Sequence, residues 1–251
     1  MNRKFKLGIL LFLTGLIGVL SSLAMDVPIP EEMEKMVSEL FTPLQLKLLS
    51  LINPTILLIV AVVVGTSLYD KVNFKLPIIE SLLNRRKPTE SAGILKYGII
   101  GGIISGILIL LTAIAFRPIL PAEFLEIGEK FKPPLITRFL YGGLTEEILI
   151  RFGIMTFFVW LLFKISGKLT SKIYWIGIVV SAIIFGFGHF PIVYNLIGTP
   201  TTELLLYIVL GNAFGGIVFG WLYWKKGLET AMIGHIVAHM IMLFGENIFN
   251  I

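Results

Sequence analysis

Apolar residues run along the chain in long blocks separated by short polar ones, and the blocks are long enough to cross a bilayer. About 20 consecutive apolar residues make a transmembrane helix. Such stretches fall at about 7–25, 44–69, 97–116, 135–163, 173–196, 203–224 and 228–249. Backbone polar groups in lipid must be satisfied within their own segment, so each block is expected to be helical. The pattern predicts an all-α, polytopic bundle of about seven transmembrane helices, within a range of six to eight. The whole of residues 1–251 reads as one integral membrane domain. The first block follows Arg3, Lys4 and Lys6 and ends in Ser22-Leu23-Ala24, which has the form of a signal peptide. With six more spans behind it, an uncleaved first helix is the expectation.

The polar stretches between blocks add detail. Residues 28–41 fit a short amphipathic helix at the outer interface, with a solvated linker as the competing reading. Residues 117–134 hold Pro118, Pro121, Pro133 and Pro134 among charges and read as an irregular connection. Within the blocks, Gly98, Gly102 and Gly106 recur every fourth residue, as do Gly211 with Gly215 and Gly216 with Gly220. That spacing lets helix backbones approach closely in lipid. Asn212, among these glycines, suggests an interhelical hydrogen bond.

Composition agrees with the pattern. Of 251 residues 56% are hydrophobic and only 15% charged, and the mean hydropathy is +0.90, outside the range of soluble domains. A multi-pass protein in contact with membrane lipids is therefore expected, in the cytoplasmic membrane if the source is prokaryotic. The absence of cysteine excludes disulfides, thiolate metal sites and a cysteine nucleophile. The net charge of +5 reports orientation here and not a nucleic-acid partner. Basic residues gather at the N-terminus and in the connections at 70–96, 164–172 and 225–226. The opposite connections hold only Lys35, Lys47, Arg117, Lys130 and Lys132. This asymmetry predicts a cytoplasmic N-terminus and an outward C-terminus.

Against this apolar background, Glu146, Glu147 and Arg151 stand inside the fourth block. Ionisable groups at membrane depth are costly and mark functional sites unless a partner explains them. On a helix, residues four apart share a face and neighbours diverge by about 100°. Arg151 therefore faces Glu147 in the favourable order for an ion pair, and Glu146 is left without a local partner. The three histidines of the chain also lie in apolar blocks, His189 in the fifth and His235 with His239 on one face of the seventh. Each alone would read as a core histidine bonded to a carbonyl or hydroxyl. Together with Glu146 they suggest one polar site built from three helices. At about 1.5 Å per residue, Glu146 and His189 stand roughly 25 Å above the inner ends of their spans and His239 about 17 Å, so the three can meet if the last helix tilts.

A glutamate and two or three histidines, without a cysteine or a serine dyad, suit water activation. The carboxylate takes a proton from water and hands it to a leaving amine, while histidine shares the water or donates to a developing oxyanion. The same four residues, Glu146, His189, His235 and His239, could instead hold Zn2+. His235 is followed by Ile236 and not by the glutamate of a zincin helix, which favours a metal-free glutamate mechanism with no cofactor.

The order and spacing Glu146-Glu147-x-x-x-Arg151, Phe185-x-x-x-His189 and His235-x-x-x-His239 resemble the three motifs of the CAAX prenyl protease type II and bacteriocin-processing family, also called Abi or CPBP intramembrane proteases. The resemblance covers about residues 135–245. It implies an intramembrane endopeptidase with Glu146 as catalytic base, Glu147 paired to Arg151 as structural support, His189 orienting the water, and His235 in an oxyanion-stabilising pair. It also implies a membrane-associated protein or peptide substrate, of prenylated CAAX, bacteriocin or other lipid-proximal type. The family's last motif commonly ends in Asn or Asp, where this chain has His239. Two readings compete with the protease: a proton- or metal-coupled transporter, which should carry inverted repeats that the sequence lacks, and a non-catalytic scaffold of the same fold.

Overall fold

In the computed structural model all residues are described except 1, 26–28, 30, 88–90, 131 and 250–251; of residues 31–34, 129 and 130 only the backbone is described. Among the described residues, seven helices are long and apolar enough to cross a membrane: Arg3–Ala24, Pro43–Val72, Ser91–Ile119, Leu135–Ser166, Ser171–Ile197, Thr202–Lys226 and Leu228–Phe249. No strand occurs among the described residues. The protein is an all-α, multi-pass integral membrane protein, as the hydropathy pattern predicts.

The fourth span is the hub. It packs on the first and second spans on one side and on the seventh, fifth and sixth on the other. The third span closes the far side against the sixth and seventh. Its glycine row does what the spacing suggests: a Cβ on Gly102 would stand 2.5 Å from the Gly234 carbonyl oxygen, and one on Gly106 would meet Ile241 at 2.6 Å. The backbones of the third and seventh spans can touch only because those side chains are missing. Gly216 and Gly220 likewise seat the sixth span on Ala182 and Ile178 of the fifth. Gly211 differs, with no atom near its missing Cβ, so it faces open space and takes no part in packing. Asn212 donates its amide to the Ile208 carbonyl at 2.8 Å. The expected interhelical bond is thus an intrahelical one, because the carbonyl one turn back is the nearer acceptor.

The connections are more ordered than their prolines suggest. Within 117–134, read as irregular, Ala122–Lys130 forms a helix. Its Phe124 joins Val193, Leu204 and Ile208 in a small outer core, edge-on to Tyr207 at 5.9 Å. Proline ends the turns that flank this helix without entering it. Residues 31–40 of the 28–41 segment are helical, with residues 28 and 30 outside the described set. At the N-terminal end of the first span, Arg3 pairs with Glu80 at 2.7 Å and Lys4 with Asp70 at 2.7 Å. Glu229 accepts the Ile79 N–H at 2.8 Å, which ties the start of the seventh span to the helix Pro77–Leu83.

Two departures from regular helix shape the site. The fourth span is wound from Arg138 to Met155 as a π-helix, with the Thr156 amide reaching back to the Arg151 carbonyl. Hydrogen bonds from i to i+5 widen the helix, a form rare in long runs and frequent at functional sites. The fifth span is not continuous. Its helix Ser171–Phe187 stops at Gly188 and His189, and a second helix, Phe190–Ile197, follows with Pro191 in its first turn.

Candidate functional site

The polar residues of the fourth and seventh spans meet on the seam between the two helices. Glu147 is closed off, with 1% of its side chain exposed, and Glu146 keeps 19%. This asymmetry follows from the register: Glu147 points into the bundle beside Arg151, and Glu146 lies on the neighbouring face. A helix with more residues per turn separates neighbours by a smaller angle than an α-helix does. Adjacent glutamates of the wide segment can therefore both reach one residue of the seventh span.

That residue is His235. Its Nδ1 lies 2.9 Å from Glu147 Oε1, and its Nε2 lies 3.8 Å from Glu146 Oε2. A carboxylate only accepts, so Nδ1 carries the hydrogen and Nε2 of the neutral ring presents a lone pair. The ring is held from behind by Glu147 and aimed at Glu146. Arg151 stands on the other side of Glu147, with Nε 3.5 Å from Oε2, an ion pair without hydrogen-bond geometry. Its guanidinium is fully buried between the rings of Phe185 and Phe219, at 5.4 and 5.8 Å. Glu147 and Arg151 pair as the helical spacing predicts. Glu147 has two partners, and the second is a site histidine on another span.

His239 stacks on His235, ring centres 5.0 Å apart and planes 17° apart. Phe219 stacks on the His235 ring at 4.6 Å. The His239 ring occupies room left by a glycine: a Cβ on Gly142 would stand 2.5 Å from His239 Nε2 and 3.5 Å from His235 Nε2. Gly143 in the same way admits Ile236. His239 Nδ1 is buried and has no hydrogen-bond partner.

His189 sits apart. Its Nδ1 bonds the Phe185 carbonyl at 2.9 Å, and its ring lies edge-on to the Phe185 ring at 5.0 Å. Phe185 in turn lies 6.3 Å from His235. The helix break at Gly188 leaves His189 beside Phe185, whose ring is the one near His235, and among the described residues His189 makes no direct polar contact with Glu146. Of the six residues singled out by sequence, the structure thus brings together Glu146, Glu147, Arg151, His235 and His239, with His189 one aromatic ring away.

The four donors proposed for zinc do not form a metal set. Among the described residues no group of three His, Cys, Asp or Glu side chains could hold an ion. The residues do not fit zinc in this arrangement. Sequence reasoning also missed Gly142, whose signal was the Gly142-Gly143 pair directly before the glutamates. It missed a further ion pair on the same seam, Arg138 Nη1 with Glu246 at 2.9 and 3.1 Å.

Comparison with known proteins gives a match in this part of the chain. Residues 129–241 match the family described as type II CAAX prenyl endopeptidase Rce1-like. The matched stretch contains every residue of the seam except Glu246. No curated protein and no solved structure matches the chain.

Proposed function

On the premise that residues 129–241 are those of a type II CAAX prenyl endopeptidase-like protein, we propose that this chain is an intramembrane endopeptidase. It hydrolyses a peptide bond of a membrane-associated, lipidated substrate with a water activated by Glu146 and His235. The observation that carries the reading is the 3.8 Å separation of Glu146 Oε2 and His235 Nε2, with Glu147 fixing the ring. Two acceptors that far apart suit a single water donating one hydrogen to each at ordinary hydrogen-bond length.

The water oxygen attacks the scissile carbonyl carbon as Glu146 takes its proton. The carbonyl becomes a tetrahedral oxyanion. Glu146 then passes the proton to the amide nitrogen, the C–N bond breaks, and an acid and an amine leave. Glu147 and Arg151 are positioning residues: the Glu147 carboxylate sets the His235 tautomer and supports any positive charge the ring acquires, as the third member of a hydrolase triad does. We assign the oxyanion donor to His239, which packs on His235 and faces Gly142 of the fourth span. His189, at the bend of the fifth span, orients the water or substrate from the rim. No metal enters any step.

The test is cleavage of a farnesylated CAAX peptide by the purified protein in detergent or proteoliposomes. Wild type is expected to release the C-terminal fragment and Glu146→Gln to lose at least about 100-fold of the rate. Full activity of Glu146→Gln rejects the glutamate as base, and loss of activity on exhaustive chelation rejects the metal-free scheme.

A further inference from the structure

We propose that Arg138 is a substrate-binding residue that holds the C-terminal carboxylate of the peptide, with Glu246 fixing its guanidinium; the inference rests on the endopeptidase reading above. Arg138 opens the wide helix of the fourth span, and Glu246 lies near the outer end of the seventh. Their pair closes the outer end of the seam whose middle holds Glu146, His235 and His239. The contact is lopsided. A single nitrogen, Nη1, reaches both oxygens of Glu246, at 2.9 and 3.1 Å. A guanidinium carries five N–H donors in a planar fork that matches a carboxylate two bonds at a time. Arg138 makes no other hydrogen bond among the described residues, so its Nε and Nη2 edge remains available to a second carboxylate.

Burial suits that use. The side chains of Arg138 and Glu246 are 11% and 21% exposed, shielded enough to strengthen a charge-assisted bond and still reachable from the seam. Glu246 orients the guanidinium and offsets its charge in the empty site, which a lone arginine at this depth would lack.

The spacing supplies the rest. Eight positions separate Arg138 from Glu146, at most about 12 Å of rise and less in a π-helix. Eleven separate His235 from Glu246, about 16 Å. The two helices therefore set the carboxylate site about 10–16 Å along the seam from the water-activating pair. An extended peptide spans about 3.3–3.6 Å per residue, so about three to five residues fit between the scissile carbonyl and the terminal carboxylate. A prenylated cysteine followed by three residues falls within that range.

The experiment is fluorescence anisotropy with a dansyl-labelled farnesylated peptide ending in cysteine and three apolar residues, made as the free acid and as the C-terminal amide. Wild type is expected to bind the acid roughly 10- to 100-fold more tightly than the amide, and Arg138→Gln to bind both alike. Equal binding of the two peptides by wild type, including no binding of either, overturns the proposal, as does a preference that survives Arg138→Gln. If Arg138→Gln does not fold, Arg138→Lys serves: it keeps the charge and loses the fork, so an undiminished preference overturns the assignment. Failure of the protease reading looks different. Wild type that prefers the acid but never cleaves it loses the hydrolysis and keeps the carboxylate site, and wild type that cleaves acid and amide equally well loses the carboxylate site alone.

Discussion

Glu147→Gln is expected to destabilise the protein more than Arg151→Met, although the two residues form one ion pair. Both side chains are sealed from solvent, at 1% and 0% exposure. Breaking a buried pair by removing one partner costs about 3–5 kcal/mol, because the survivor is left as an uncompensated charge. After Glu147→Gln the survivor is Arg151. Its remaining partners are the faces of Phe185 and Phe219 and the more distant charge of Glu146, none of them a hydrogen bond, so most of the ~3–5 kcal/mol applies. After Arg151→Met the survivor is Glu147, and it still accepts Nδ1–H of His235 at 2.9 Å. A hydrogen bond to a charged group contributes about 1.5–3 kcal/mol, which brings the expected loss down to about 1–3 kcal/mol by difference from the buried-pair cost. Methionine also fills most of the arginine stem's volume, so no large cavity adds to it. The double variant Glu147→Gln/Arg151→Met leaves no charge at all and should be more stable than Glu147→Gln alone. Equilibrium unfolding in mixed micelles titrated with SDS, followed by tryptophan fluorescence, gives the order of the three. If Arg151→Met proves as damaging as Glu147→Gln, His235 is not a second partner of Glu147, and the chain of contacts from Arg151 to the water-activating pair is wrong.

Other substitutions separate chemistry from support. Glu146→Gln should abolish hydrolysis, by a factor of at least about 100, with an unfolding midpoint near that of wild type, because Glu146 makes no hydrogen bond among the described residues and keeps 19% of its side chain exposed. Gly142→Ala puts a methyl 2.5 Å from His239 Nε2. It should displace that ring, lower kcat by roughly 10- to 100-fold and cost about 1–3 kcal/mol of overpacking; a variant with wild-type kcat would show that the position of His239 does not matter. Glu229→Ala leaves the Ile79 N–H without its acceptor and should cost about 1–3 kcal/mol, read in the same unfolding titration, with the intact fraction still cleaving peptide.

How far the sequence reached depends on what each feature is made of. Span number and helical class come from hydropathy alone, a property each residue carries wherever it packs, and the seven blocks reappear as seven helices. The row Gly98, Gly102 and Gly106 was legible for a related reason, since a missing side chain permits close approach whatever the partner. Gly211 has the same spacing and no neighbour, so spacing grants permission without requiring contact. The site shows the same division. Glu147 beside Arg151 follows from the screw of one helix and was readable. The bond from Glu147 to His235 joins positions 88 apart in the chain, and nothing local to either residue encodes it. The π-helix is of that kind too. An α-helical reading sets neighbouring glutamates about 100° apart and so assigns one to structure and one to chemistry, with no contact between the roles. Once the helix is wound wider, both carboxylates address the two nitrogens of one imidazole, at 2.9 and 3.8 Å. The buried ion pair is then the far end of the device that aims His235 at Glu146. The depth mismatch of the α-helical reading shrinks for the same reason, because a helix with more residues in each turn rises less per residue and lowers Glu146 toward the level of His239.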